Sequence, residues 1–147
     1  MRAIVQRVSR AEVRVDGHIV GGIGRGFVVL LGVAIGDGET DAEFLEDRVA
    51  GLRVFADPDG KMNLALAAVG GELLVISQFT LHADTSQRRP SFIQAAPAAE
   101  AERLYRHFLS LARRRGVKVE AGQFGAQMEV ELVNDGPVTI ILDSRKR

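Results

Sequence analysis

The chain has 147 residues, no cysteine, and basic and acidic residues in equal number, 19 of each. That length suits one domain with its own core. The missing thiols exclude a disulfide framework, a thiolate nucleophile and Cys-ligated metal, and fit a reducing cytoplasm.

The opening stretch MRAIVQRVSR breaks its apolar residues with Arg2, Gln6 and Arg7. It reads as neither a signal peptide nor a membrane span, so a cytoplasmic chain without a membrane partner is expected. Residues 2–8 alternate loosely, as a strand does. Val13 and Val15 lead into Asp16-Gly17, a two-residue hairpin signal, and residues 18–22 form the return strand. The apolar run Phe27–Val33 predicts a buried strand. Thr40 and Glu43 have capping-box spacing, and the predicted helix behind them sets Leu45, Val49, Leu52 and Phe55 on one face. Asp57-Pro58-Asp59-Gly60 stops it with turn chemistry. Gly70-Gly71 precedes a strand over 72–81. Pro97 suits the start of a second helix, with Ala101, Leu104, Tyr105, Phe108 and Leu111 as its stripe. Residues 117–120, 127–133 and 138–142 read as strands.

Two helices among many short strands predict a single α/β domain of the α+β type over residues 1–147. Its sheet is expected to be mostly antiparallel and curled, or a partial barrel, because no helix intervenes early in the chain. Charge is uneven within this frame. Between Ser86 and Lys118 lie Arg88, Arg89, Arg103, Arg106, Arg113, Arg114, Arg115 and Lys118, against Glu100 and Glu102 alone. Arginine forks match phosphate, so the window suits an RNA-facing patch; a solvated helix face is the competing reading.

The chemistry-bearing stretches are few. His18, His82 and His107 have no metal-ligand spacing, so neither a metal nor a cofactor is expected. The glycines at 21, 22, 24 and 26 are followed by a strand, not the helix a dinucleotide fingerprint requires. LVISQFTLHAD runs apolar, then delivers Ser77, Gln78 and Thr80. Thr80, His82 and Asp84 suggest a triad. On one strand face, however, positions two apart are separated by about 6.6–6.8 Å, whereas nucleophile and base need about 2.6–3.2 Å. In VNDGPVTIILDS, Gly136-Pro137 interrupts two strand-like runs and reads as an edge, a turn or a kink.

SQFTL at 77–81 and NDGPVT at 134–139 resemble, in order and spacing, the two signature motifs of the D-aminoacyl-tRNA deacylases. The similarity spans essentially the whole chain, through MRAIVQRV, GKMNLAL, RPSF and FGAQMEVELVNDGPVT. The loop before RPSF departs from it, with Thr85-Ser86-Gln87-Arg88 where many relatives have a Lys/Gly-rich segment. The resemblance implies a homodimer that hydrolyses the ester between a D-amino acid, or glycine, and the 3′-terminal adenosine of tRNA. It implies that Ser77, Gln78, Phe79 and Thr80 form the reaction pocket. It makes Gly136 and Pro137 a cis-peptide selector reaching into the partner subunit, with Arg7, Val138 and Thr139 in support. Phe124 and Met128 would lie near the terminal adenine. A rigid backbone wall that collides with an L side chain leaves D side chains unread. Thr80 has no evident base, so water assisted by the vicinal 2′-hydroxyl is the expected nucleophile, with covalent attack by Thr80 as the rival. A non-catalytic nucleic-acid-binding dimer, and a generic esterase using Thr80 and His82, are the other functions to weigh.

Overall fold

The computed structural model describes all residues, 1–147. Its organising element is β1 (Arg2–Val15), a strand of 14 residues. The Asp16-Gly17 hairpin returns as β2 (His18–Ile23), with Val15 opposite His18. β3 (Gly26–Gly32) then pairs antiparallel with the first half of β1, from Arg2 opposite Gly32 to Val8 opposite Gly26. Helix α1 (Glu39–Gly51) follows. Its N-terminus is closed by the Asp41 carboxylate, which accepts the Gly38 N–H at 2.9 Å. The predicted Thr40/Glu43 box is therefore out of register by two residues.

The helix also ends before Phe55, which opens β4 (Phe55–Ala56) and pairs with β5 (Met62–Leu64). The Asp57–Gly60 turn joins these two short strands, held by the Asp57 carboxylate on the Asp59 and Lys61 N–H groups at 2.9 Å. β6 (Glu72–Ser77) lies parallel to β3, and β7 (Val119–Ala121) parallel to β6. Helix α2 (Ala98–Arg114) connects them with Pro97 as its N-cap. The last strand, β8 (Glu129–Asp143), runs antiparallel along β1 for nearly its whole length.

The sheet is thus mixed rather than mostly antiparallel, because β3, β6 and β7 run the same way and are joined by crossovers. It curls until β2 meets β6 and β7. A Cβ at Gly21 would stand 2.8 Å from the Ala121 carbonyl oxygen, and Glu72 accepts the Gly24 N–H at 2.7 Å.

Both faces of β3 and β6 are covered, which explains their unbroken apolar runs. On one face Phe27, Leu31, Leu73 and Val75 pack against Leu45 and Val49 of α1 and Leu104 and Phe108 of α2. Inside the curl, Val8, Val13, Ile23, Val28, Leu74 and Ile76 make a second cluster. The chain ends are tied into this frame. The Met1 ammonium is buried against the Asp37 carboxylate at 2.7 Å, and the Met1 carbonyl accepts the Ser144 N–H at 2.9 Å. No helix is long and apolar enough to cross a membrane.

Candidate active site

The predicted strand over 72–81 stops at Ser77. Gln78 leaves extended geometry with ψ of 77° while its N–H still bonds the Leu31 carbonyl at 2.8 Å. Phe79–His82 then form a 3₁₀ turn, with the Leu81 N–H on the Gln78 carbonyl at 3.2 Å. The Phe79 and Thr80 N–H groups open that turn and have no acceptor within it. The turn pushes Phe79 outward to 56% exposure, where it packs edge-on against Phe92 at 5.1 Å between ring centres.

Beneath Phe79 is a cavity of about 590 Å³ that gathers Ser77, Gln78, Phe79, Phe124 and Met128. Phe92, the alanines at the start of α2 and Tyr105 complete its wall, and no charged residue lines it. Tyr105 is buried and donates its hydroxyl to the Val75 carbonyl at 2.8 Å. Burial raises its pKa to about 12, so the hydroxyl stays protonated and keeps that hydrogen bond. Its ring lies 5.9 Å from that of Phe124. From the sequence Tyr105 is legible only as part of the core stripe of the helix, where it is the sole tyrosine of the chain. Met128 closes the floor over Gly122, where a Cβ would come within 2.5 Å of its sulfur.

Thr80 is not in this cavity. It opens on a neighbouring groove of about 860 Å³ with Arg2, Ile4, Phe44 and Ile141. Its Oγ1 accepts a hydrogen bond from the Gln78 amide.

Gly136 and Pro137 do not form a hairpin. They sit inside β8, where pairing with β1 jumps from Thr139 opposite Gln6 to Asn134 opposite Val8, so the intervening residues bulge outward. The Gly136–Pro137 peptide is cis, and Gly136 has φ of 128°. Arg7 braces the bulge: its side chain, 14% exposed, bonds the Asp135 carbonyl at 3.1 Å and the Asp135 carboxylate at 3.3 Å, and also reaches the Val54 carbonyl. Asn134 spans it, accepting the Val138 N–H at 3.0 Å and donating to Thr139 Oγ1 at 3.0 Å. In the sequence Asn134 is visible only as the first residue of NDGPVT, with no role attached. Neither Gly136 nor Pro137 lines the cavity.

Comparison with known proteins bears on these features. A family model described as D-Tyr-tRNA(Tyr) deacylase matches residues 4–143. A D-aminoacyl-tRNA deacylase of Anaeromyxobacter dehalogenans (strain 2CP-C) is 59% identical over 99% of both chains. The chain belongs to the D-aminoacyl-tRNA deacylases. Its activity is therefore that of a hydrolase that deacylates D-aminoacyl-tRNA. Among solved structures, a c-Myc DNA unwinding element binding protein is 41% identical over 97% of this chain, with a TM-score of 0.93. A probable eukaryotic D-amino acid tRNA deacylase, 18% identical, shares the fold with a TM-score of 0.80.

In this deacylase Thr80, His82 and Asp84 form no triad. No hydrogen bond joins Thr80 to His82; His82 faces a third cavity with Arg2 and Asp84, and its Nε2 has no partner. Burial above all, with the Arg2 charge adding to it, holds the imidazole below its ordinary pKa. The Asp84 carboxylate is held low by the Ser86 N–H. Glu39, Glu43 and His107 bring donor atoms within 4.8 Å of one another, a grouping across two helices that sequence spacing does not reveal. Arg103 already donates to Glu39 there at 3.1 Å. Much of the basic window is likewise neutralised locally: Arg103 by Glu100, Arg106 by Glu102, Arg115 by Glu46 and Asp47, and Lys118 by Glu72.

Proposed function

We propose that the chain acts as a homodimer that hydrolyses the ester joining a D-amino acid, or glycine mischarged on tRNA(Ala), to the 3′-terminal adenosine. The observation that carries this reading is the uncharged, aromatic-walled cavity beside Ser77, Gln78 and Phe79. A purine base fits such a wall, and stacking on aromatic side chains contributes about 1–3 kcal/mol per base. Phe124 and Met128 flank the base. The ester carbonyl then lies at the turn, where the Phe79 and Thr80 N–H groups face the oxygen that becomes negative. Loss of one such donor typically costs about 2.7–4 kcal/mol of barrier.

Water adds to the carbonyl, the 3′-oxygen leaves, and free amino acid and tRNA are released. The vicinal 2′-hydroxyl, fixed by the bound adenosine, assists the departing oxygen. Thr80 is a poor nucleophile: its hydroxyl accepts from Gln78 and has no base beside it.

Chirality is read by the Gly136–Pro137 backbone of a second copy. Two observations support that arrangement. The bulge is exposed yet clamped by Arg7 and Asn134. It also lies on a strand that leaves Val130, Val133 and Ile141 exposed, at 36%, 41% and 69%. Ile141 faces Ile4 across the ladder in the groove that also takes Thr80, an apolar surface that a second copy would cover.

Incubation with D- and L-tyrosyl-tRNA, following ester loss, is the test. Rapid loss of the D ester alone supports the reading, and equal rates defeat the selector. A substrate lacking the free 2′-hydroxyl is cleaved far more slowly, whereas Thr80→Ala retains substantial activity; an acyl group trapped on Thr80 would reverse that assignment. One observation favours a second reading, nucleic-acid binding without turnover: the 41%-identical solved structure is that of a protein named for binding a DNA element. Binding with no ester loss on either substrate would select it.

A further inference from the structure

We infer that Arg88 and Arg89, at the tip of the loop beside the cavity, form a clamp for phosphodiester groups of the RNA 3′ end. The inference rests on the reading of the cavity as the seat of the terminal adenosine. A nucleotide is half apolar base and half anion, yet the cavity supplies no charged residue. The phosphates entering it must be neutralised at the rim or stay in water.

The rim has the means. Asp84 and Ser91 exchange backbone hydrogen bonds of 2.8 and 3.0 Å, which closes residues 85–90 into a short loop. The Asp84 carboxylate is spent inside the loop on the Ser86 N–H at 2.9 Å. Pro90 stiffens the exit by fixing φ. Two residues further on, Phe92 anchors the loop to Phe79 at the cavity mouth. Arg89 is three residues from Phe92, so the two Cα atoms lie within about 11 Å of each other. Both arginines are exposed, and neither enters an ion pair or a side-chain hydrogen bond. Uncommitted guanidinium forks are suited to bidentate phosphate contacts.

The other arginines of the basic window are worse placed. Arg103, Arg106 and Arg115 are bound to carboxylates. Arg113 and Arg114 are unpaired, but Arg113 lies eight residues beyond Tyr105, about 12 Å along the helix axis from the cavity wall. Of the unpaired arginines in this window, those of the loop are tied most directly to the cavity mouth, through Phe92 and its contact with Phe79.

The test is the double variant Arg88→Gln/Arg89→Gln, compared with the wild type on D-tyrosyl-tRNA and on 3′-D-tyrosyladenosine, which has no phosphate. Two single-strand phosphate contacts at about 0.7 each predict a salt slope shallower by about 1.4 and a KM for the tRNA raised about tenfold. The tRNA substrate should suffer far more than the nucleoside ester. An unchanged KM and slope would overturn the clamp, and so would equal losses on both substrates, since the loop would then act through cavity shape. Fluorescence anisotropy with uncharged tRNA reads the clamp without turnover. An inert wild type whose tRNA binding still weakens in the variant defeats the hydrolase reading and leaves the clamp standing; unchanged binding defeats the clamp.

Discussion

The turn at Phe79–His82 is fixed from beneath by the core, whereas the Gly136–Pro137 bulge is fixed from the side by polar clamps. Under the turn lie Leu31, Val75, Tyr105 and, one helical turn on, Phe108, all buried. Around the bulge the polar contacts are the Arg7 guanidinium, the Asn134 amide and Thr139, on a strand without a single fully buried residue, where Val138 alone beside the cis peptide packs toward the core. The cavity's shape is thus inseparable from the fold, while the bulge can be changed with the fold intact.

The largest effect tests the first half of that contrast. Phe108→Ala removes a fully buried ring behind the cavity wall and should cost about 3–5 kcal/mol in denaturant unfolding. Activity and stability should fall together; a stable but inactive variant would break the comparison. Gly136→Ala tests the other half. Its Cβ would lie 2.8 Å from Val138 Cγ2 and 3.0 Å from the Val138 nitrogen, at a φ that side chains rarely adopt. The bulge must shift, and a misplacement near 1 Å typically costs about 100-fold in rate. The expected stability loss is only about 1–3 kcal/mol. Kinetics on D-tyrosyl-tRNA beside thermal unfolding would show the two separating.

Tyr105→Phe sharpens the contrast at smaller scale. It removes the hydroxyl from the Val75 carbonyl, but that carbonyl also accepts the Gly122 N–H at 3.3 Å, so the loss should be about 1 kcal/mol. The smallest effect is a pH slope. His82 has a folded pKa below its unfolded value, so the unfolded chain binds more protons between the two. Its contribution is complete above about pH 6.5 and is lost as pH falls through the folded value. Urea midpoints of wild type and His82→Gln between pH 7.5 and 5 should converge toward the acid end. A gap that widens on acidification would contradict the burial assigned to His82.

Legibility in the sequence followed how local each signal is. Asp16-Gly17 marks its hairpin because two residues alone fix that turn. The 3₁₀ turn was hidden because Phe79 and Leu81 continue the alternation of a strand, and only the Gln78 backbone breaks it. The continuity of β8 was hidden for the opposite reason: a proline suggests an end, yet β1 keeps pairing with both flanks while the middle loops out. The parallel pairing of β3, β6 and β7 depends on crossovers that no short window contains. At the site, SQFT and NDGP were visible as motifs. The separation of Thr80 from the cavity, and the commitment of most arginines to local carboxylates, emerge only from the folded chain.

The pairing of β1 with β8, Arg2 opposite Asp143, sets the order in which the molecule can be made. During synthesis β1 is the first strand to emerge, and β2 and β3 can cover one of its edges early. The other edge stays open until almost the whole polypeptide is out. Such long-range closure places refolding toward the slow end for a single domain, about milliseconds to seconds. Until then a long edge carrying Ile4 and Val8 is available to any other nascent strand. A chain stalled or truncated within β8 would therefore be an aggregation hazard, and completing the fifteen residues of β8 also seals the fourteen of β1.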